Sequence, residues 1–144
     1  MKYIYIIFLF IISLFSFASC DDETEQGKKE ETFIKINVSY KTNTDSEIHP
    51  DVNANVYIYY DIDTSLLMNC TYEGNGKIIL SDGKVLLPDS QAKTNNEGIT
   101  IIDPLRLDTY ITVIIEGNHY TGHLTGTTVH LKNNVTCSFL FNPT

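Results

Sequence analysis

The sequence predicts an all-β chain, a single antiparallel β-sandwich of about seven strands. Three observations carry this. No segment keeps a helical period over a useful length. Short runs rich in Ile, Val, Tyr, Phe and Thr recur between Gly, Asn and Asp clusters. Ser81-Asp82-Gly83 separates Lys77–Leu80 from Lys84–Leu87, and Asp-Gly between apolar runs is a hairpin signal because both residues tolerate positive φ.

The strands follow in order. From Phe33 to Tyr40, Ile34, Ile36, Val38 and Tyr40 share one face, with Lys35, Asn37 and Ser39 on the other. Residues 42–53 are polar, contain Pro50 and read as a loop. Ala54 to Ile62 puts Val56, Ile58, Tyr60 and Ile62 on one face and Tyr57 and Tyr59 on the other. A strand filled on both faces is central or carries an aromatic strip outside. Asp63–Gly76 is irregular, and the hairpin follows, ended by Pro88. Gly98–Asp103 is a strand that Pro104 confines to an edge or a bend. Tyr110–Glu116 is a strong strand, 119–125 a weak one, and Thr127–Leu131 and Val135–Phe141 close the set.

Charge and composition exclude some classes. The chain has 144 residues, 10 basic against 18 acidic, for a formal charge of −8. That acid excess argues against a nucleic-acid binder, which needs a basic face. A hydrophobic share of 42% suffices for a core, so the chain is not disordered throughout.

The amino end is read as a targeting segment. Lys2 precedes an apolar run that closes on Phe17-Ala18-Ser19-Cys20. A charged start, an apolar middle and a small-residue exit describe a secretory signal, and the run is short for a bilayer span. The exit resembles the bacterial lipobox. The resemblance implies cleavage before Cys20, acylation of its thiol, and a Gram-negative lipoprotein held at the outer membrane by several acyl chains. Residues 1–19 are then the signal peptide, and their loss leaves nine basic against 18 acidic side chains. Residues 20–31 hold six acids, two Lys and no large apolar side chain, and so form a solvated tether. An acid run after the lipidated Cys also resembles the export signal of some surface lipoproteins. Residues 32–144 remain for the sandwich, a usual size for one domain.

Two stretches carry a second resemblance. Val52-Asn53-Ala54-Asn55-Val56-Tyr57-Ile58-Tyr59 resembles the opening of the second strand in transthyretin-like, Ig-like sandwiches, including carboxypeptidase regulatory-like and Cna B-type modules. Asn53 stands at that pattern's Gly, and Asn tolerates positive φ well. From Thr94 to Val113 the chain is similar to the family's Thr-x-x-x-Gly turn, strand, Leu and Gly-x-Tyr. Thr94, Gly98, Leu105 and Tyr110 match; Asp108 stands where Gly is expected. The resemblance implies a fold and is silent on function.

Candidate chemistry is sparse. Cys70 and Cys137 allow a disulfide, worth about 4 kcal/mol for a loop of about 66 residues, or two buried thiols; the sequence leaves both open. On a strand His119 and His123 stand about 13 Å apart, too far to share an ion, and Val129 and Leu131 facing inward turn His130 out. Asp51, Asp61 and Asp63 lack the spacing of a calcium loop. Gly74-Asn75-Gly76-Lys77 lacks the rest of a phosphate loop and reads as a turn. Cna B-type modules can join a first-strand Lys to a last-strand Asn; Lys35 and Asn142 suit roughly, but Lys35 alternates with the apolar face and points to solvent. The sequons at Asn37, Asn69 and Asn134 carry no meaning in a bacterial host.

No catalytic motif appears, so the expected function is a non-catalytic binding or structural module of the cell envelope, without cofactor or metal. Its expected partners are the membrane, through the lipid anchor, and an envelope protein or a glycan. Tyr57, Tyr59, Tyr72 and Tyr120 are the candidate binding surface, a platform for a glycan or a partner chain, or else ordinary strand residues covering the sheet. The alternative is a secreted carbohydrate-active or hydrolytic protein using Asp61, Asp63 or Glu97, which requires paired carboxylates in a cleft.

Overall fold

A computed structural model of the protein describes residues 32–45, 47–62 and 64–143. Eleven β-segments occur in them: β1 (Ile34–Tyr40), β2 (His49–Pro50), β3 (Asn55–Tyr60), β4 (Thr71–Tyr72), β5 (Ile78–Ile79), β6 (Val85–Leu86), β7 (Ser90–Lys93), β8 (Ile99–Ile102), β9 (Thr109–Glu116), β10 (Leu124–Leu131) and β11 (Val135–Phe141). The signal peptide, Cys20 and the tether lie outside the described residues, as does Asp63.

The fold is an all-β sandwich. Sheet A runs β11-β1-β2, with β8 also pairing β1. Sheet B runs β10-β9-β3-β7. Alternation sends Ile34, Ile36 and Val38 of β1 and Cys137, Phe139 and Phe141 of β11 inward. They meet Val56, Ile58 and Tyr60 of β3 and Ile111, Val113 and Ile115 of β9. This single apolar layer is the main core, and burying such side chains is the largest stabilising term.

Three features depart from the antiparallel, seven-strand expectation. First, β1 and β11 pair in parallel, from Ile34↔Val135 to Tyr40↔Phe141. The rest of the described chain forms the crossover that a parallel pair requires. Second, residues 64–88 are a covering layer: β4, β5 and β6 make a small third sheet. It packs on the outer face of sheet B and forms a second core of Tyr57, Tyr59, Ile78 and Leu80. Ile62 belongs to that second core, not to the face of Tyr60, because Asp61 takes φ 54 and ends the strand's alternation. Third, β2, β4 and β7 are two to four residues long, too short for a periodicity to mark them.

The turn motifs have clear structural causes. Asn53 has φ 62 and Asp108 φ 55, the left-handed conformation at both positions where the resembling pattern has Gly. Thr94 is buried; its hydroxyl accepts from the Ala54 amide at 2.9 Å and donates to the Asp51 carbonyl at 2.5 Å. That pair of bonds ties the β7 end to the loop before β3. Gly98 has φ 72, and a Cβ there would collide with the Val38 carbonyl. In the Ser81–Gly83 turn only Gly83 is left-handed, at φ 83, and its amide donates to the Leu80 carbonyl at 2.9 Å. The hairpin is therefore a tight turn with a glycine bulge rather than a two-residue mirror-image turn.

Candidate binding groove on the outer face of sheet B

β9 and β3 are apolar on both faces, so sheet B needs cover outside as well as inside. The third sheet supplies it only in part. Over β9 and β10 the face stays open and forms a groove of about 580 Å³. Leu67, Met68, Cys70, Tyr72 and Ile78 build one side, and Thr112, Ile114 and Leu124–Thr128 the rest. Strand β10 makes room because it presents Gly126 and Thr128 on this face, opposite Ile114 and Thr112. The groove has no carboxylate or ammonium in its lining. Three of its hydroxyls are bonded within the protein: those of Thr112 and Thr128 lie 2.8 Å apart in a hydrogen bond, and that of Tyr72 donates to Glu116. Met68 is 70% exposed and Leu124 42%, forming an apolar rim. Volume and lining match a site for an uncharged apolar molecule.

A polar knot bounds this face. Glu116 Oε2 accepts from Asn55 Nδ2, Tyr57 OH and Tyr72 OH, each at 3.2 Å. Burial first, then the Tyr72 hydroxyl and the Glu116 carboxylate, push the Tyr57 phenol above its ordinary range. Burial also raises Tyr72. Both phenols therefore remain protonated donors at neutral pH. A second, polar cleft of about 440 Å³ lies over β3 and β7, lined by Asn55, Tyr57, Asn75, Gln91, Ala92 and Lys93. Its amides and ammonium are readily satisfied by water, whereas the apolar groove gains only by being covered.

The expected tyrosine surface is not one surface. Tyr57 and Tyr59 are 3% and 0% exposed, because residues 64–88 fold over the face they project from. The Tyr59 hydroxyl donates to the Gly76 carbonyl beneath that layer. Tyr72 lies in the groove wall, and Tyr120 lies elsewhere, packed against the main core with its hydroxyl donating to the Lys41 carbonyl at 2.5 Å.

Cys70 and Cys137 are both free thiols. Cys137 belongs to the core between sheets A and B, and Cys70 to the second core on the far side of sheet B. Sheet B separates them, so of the two alternatives that the sequence leaves open the structure has the two thiols. Burial pushes the Cys137 thiol up, away from its reactive thiolate form. With Cys20 replaced, the chain is expected to show two thiols in denaturant without reductant. In the native state Cys70 should react with a disulfide reagent well before Cys137. Fewer than two thiols in denaturant would establish a bridge.

The remaining candidates are dispersed. Residues 117–123 form a loop rather than a strand, so His119 and His123 are not held at strand spacing. His119 stacks on Tyr40 at 3.7 Å and His123 on Tyr120 at 5.4 Å. His130 turns out of β10 toward Asp108, at 3.5 Å, while Leu131 is fully buried. Asp51 is 1% exposed and caps the same loop, its two oxygens accepting from the amides of Asn118 at 3.1 Å and His119 at 3.0 Å. Among the described residues no three His, Cys, Asp or Glu side chains converge in a metal-binding group. Residues 73–77 form a turn, closed by Lys77 N donating to the Gly74 carbonyl at 3.0 Å. Lys35 pairs with Thr136, which places Asn142 about 20 Å further along the strand.

Asp61 forms an ion pair with Arg106 at 2.7 Å and accepts from the Thr109 hydroxyl, at one end of the sandwich. Glu97 lies in the Asn95–Gly98 turn, next to Val38 and Pro50 at the other end. These two carboxylates cannot act as a pair. The groove was missed in the sequence because its lining comes from distant segments; the small-residue run at 125–128 and the apolar outer face of β9 were its only signals. No family model matches this chain, and no curated protein is similar to it at a significant level.

Proposed function

We propose that this protein is a non-catalytic, lipid-anchored module of the bacterial cell envelope that binds an uncharged apolar molecule in the groove over β9 and β10. The groove itself carries the binding reading: it is apolar, open and without a charged group in its lining. The lipobox-like Phe17-Ala18-Ser19-Cys20 and the acidic tether support the anchor. The left-handed Asn53 and Asp108 and the buried Thr94 support the transthyretin-like resemblance.

Two measurements test the reading. Metabolic labelling with a palmitate analogue should mark the wild type and not Cys20→Ala; equal labelling removes the anchor. For binding, residues 20–144 with Cys20→Ala should raise the fluorescence of 1-N-phenylnaphthylamine saturably. Met68→Glu with Leu124→Glu places two charges on the exposed rim and should weaken that binding tenfold or more, about 1.4 kcal/mol, with circular dichroism unchanged. A double variant that binds as well as its parent places the ligand elsewhere.

A further inference from the structure

We infer that the end of the sandwich where the tether joins is a membrane-docking surface, seated on a zwitterionic bilayer through Leu105 and Leu107. The inference rests on the anchoring reading and adds to it which end of the domain meets the lipid. Four segments converge at that end. Phe33, the residue before β1, donates its amide to Asn134 Oδ1 at 3.0 Å and accepts from the Val135 amide at 3.1 Å. Asp108 N donates to the Leu131 carbonyl at 2.7 Å, and Asp61 N to the Tyr110 carbonyl at 2.9 Å. The chain therefore leaves the domain for Cys20 beside the β8–β9 loop, residues 103–108.

That loop is held in a defined shape. Leu105 N donates to the Tyr60 hydroxyl at 2.9 Å. Arg106 pairs with Asp61 at 2.7 Å, and its guanidinium lies over the Tyr60 ring, 5.1 Å from the centroid. Arg106 turns its guanidinium back toward Asp61 and Tyr60 yet stays 54% exposed, and its two neighbours stand in solvent beside it: Leu105 is 65% exposed and Leu107 47%. The core uses neither. Two leucines on a fixed loop, flanking an arginine whose charge is paired with Asp61, give this end an apolar tip.

The tether identifies what covers the tip. Twelve residues from Cys20 reach at most about 40 Å when extended, so an anchored domain keeps this end close to the bilayer. At such an effective concentration a small apolar contact is enough to bias orientation. Charge selects the headgroup. Asp103 and Asp108 flank the tip, the tether is acidic, and Lys132 is the exposed cation of the neighbouring turn. Anionic lipid repels this surface, so insertion relies on apolar burial rather than attraction.

The chain has no Trp, which makes a single introduced Trp an unambiguous probe. Full-length lipidated protein carrying Leu105→Trp, Leu107→Trp or Ile48→Trp is reconstituted in vesicles of phosphatidylcholine with brominated acyl chains. Ile48 is 60% exposed and precedes β2 at the opposite end. Emission at 105 and 107 is expected to shift to the blue and fall at least twofold on quenching, with the Ile48→Trp signal unchanged. If the protein floats with the vesicles but Leu105→Trp is quenched no more than Ile48→Trp, docking is overturned and anchoring stands. If the wild type fails to float, the anchor falls and the docking surface with it. Replacing a third of the lipid by phosphatidylglycerol should reduce the quenching; equal quenching overturns the choice of headgroup.

Discussion

Replacing Tyr59 by Ala is expected to lower stability by about 3–5 kcal/mol, read as a shift in the denaturant midpoint at unchanged slope. Tyr59 is fully buried in β3, on the outer face of sheet B. Its ring is the floor on which the third sheet packs, with Ile78, Leu80 and Leu86 around it. Its hydroxyl satisfies the Gly76 carbonyl. Truncation removes both the packing and that bond, leaving a cavity beneath a layer of two-residue strands that cannot hold itself together. The 64–88 layer should therefore loosen first, visible as faster amide exchange there than in β9 or β11. Tyr59→Phe keeps the ring and loses only the hydrogen bond, so about 1–2 kcal/mol is expected. Equal losses for the two variants would show that the ring's packing contributes little.

Replacing Asp51 by Ala is expected to cost about 2–4 kcal/mol, because it strands two amides that now donate to a charged acceptor. The carboxylate is buried, and its oxygens serve Asn118 and His119 separately. Without it the loop between β9 and β10 loses its attachment to the loop before β3. The stacking of His119 on Tyr40 depends on that attachment. Asp51→Asn keeps one acceptor oxygen and should lose about half as much. Chemical denaturation measures the cost, and histidine ring signals in nuclear magnetic resonance report the loop. If both variants match the wild type in stability, the loop is held by its aromatic contacts and not by Asp51.

Much of the fold was legible because strand alternation is a local property. In β1 the inward set is the apolar face the period marks, and in β3 Val56, Ile58 and Tyr60 share one face as the alternation has it. The turns at Asn53 and Gly98 were readable for the same reason: positive φ there is a demand each residue meets within its own backbone. The binding surface was not legible. Alternation puts Tyr57 and Tyr59 on the outer face of β3 and says nothing of what lies above them. The covering layer consists of segments as short as Ile78–Ile79 and Val85–Leu86, which carry too few residues to show a period.

The amino-acid sequence by itself determined the class of structure, the alternation of the long strands and the turns at Asn53 and Gly98, since each depends on neighbours within a few positions. Only the tertiary structure decided that β1 and β11 run parallel, that sheet B separates Cys70 from Cys137, and that a partial third layer buries two tyrosines and leaves the groove open. Those outcomes depend on contacts between residues distant along the chain, and no local pattern encodes which distant surface will cover another.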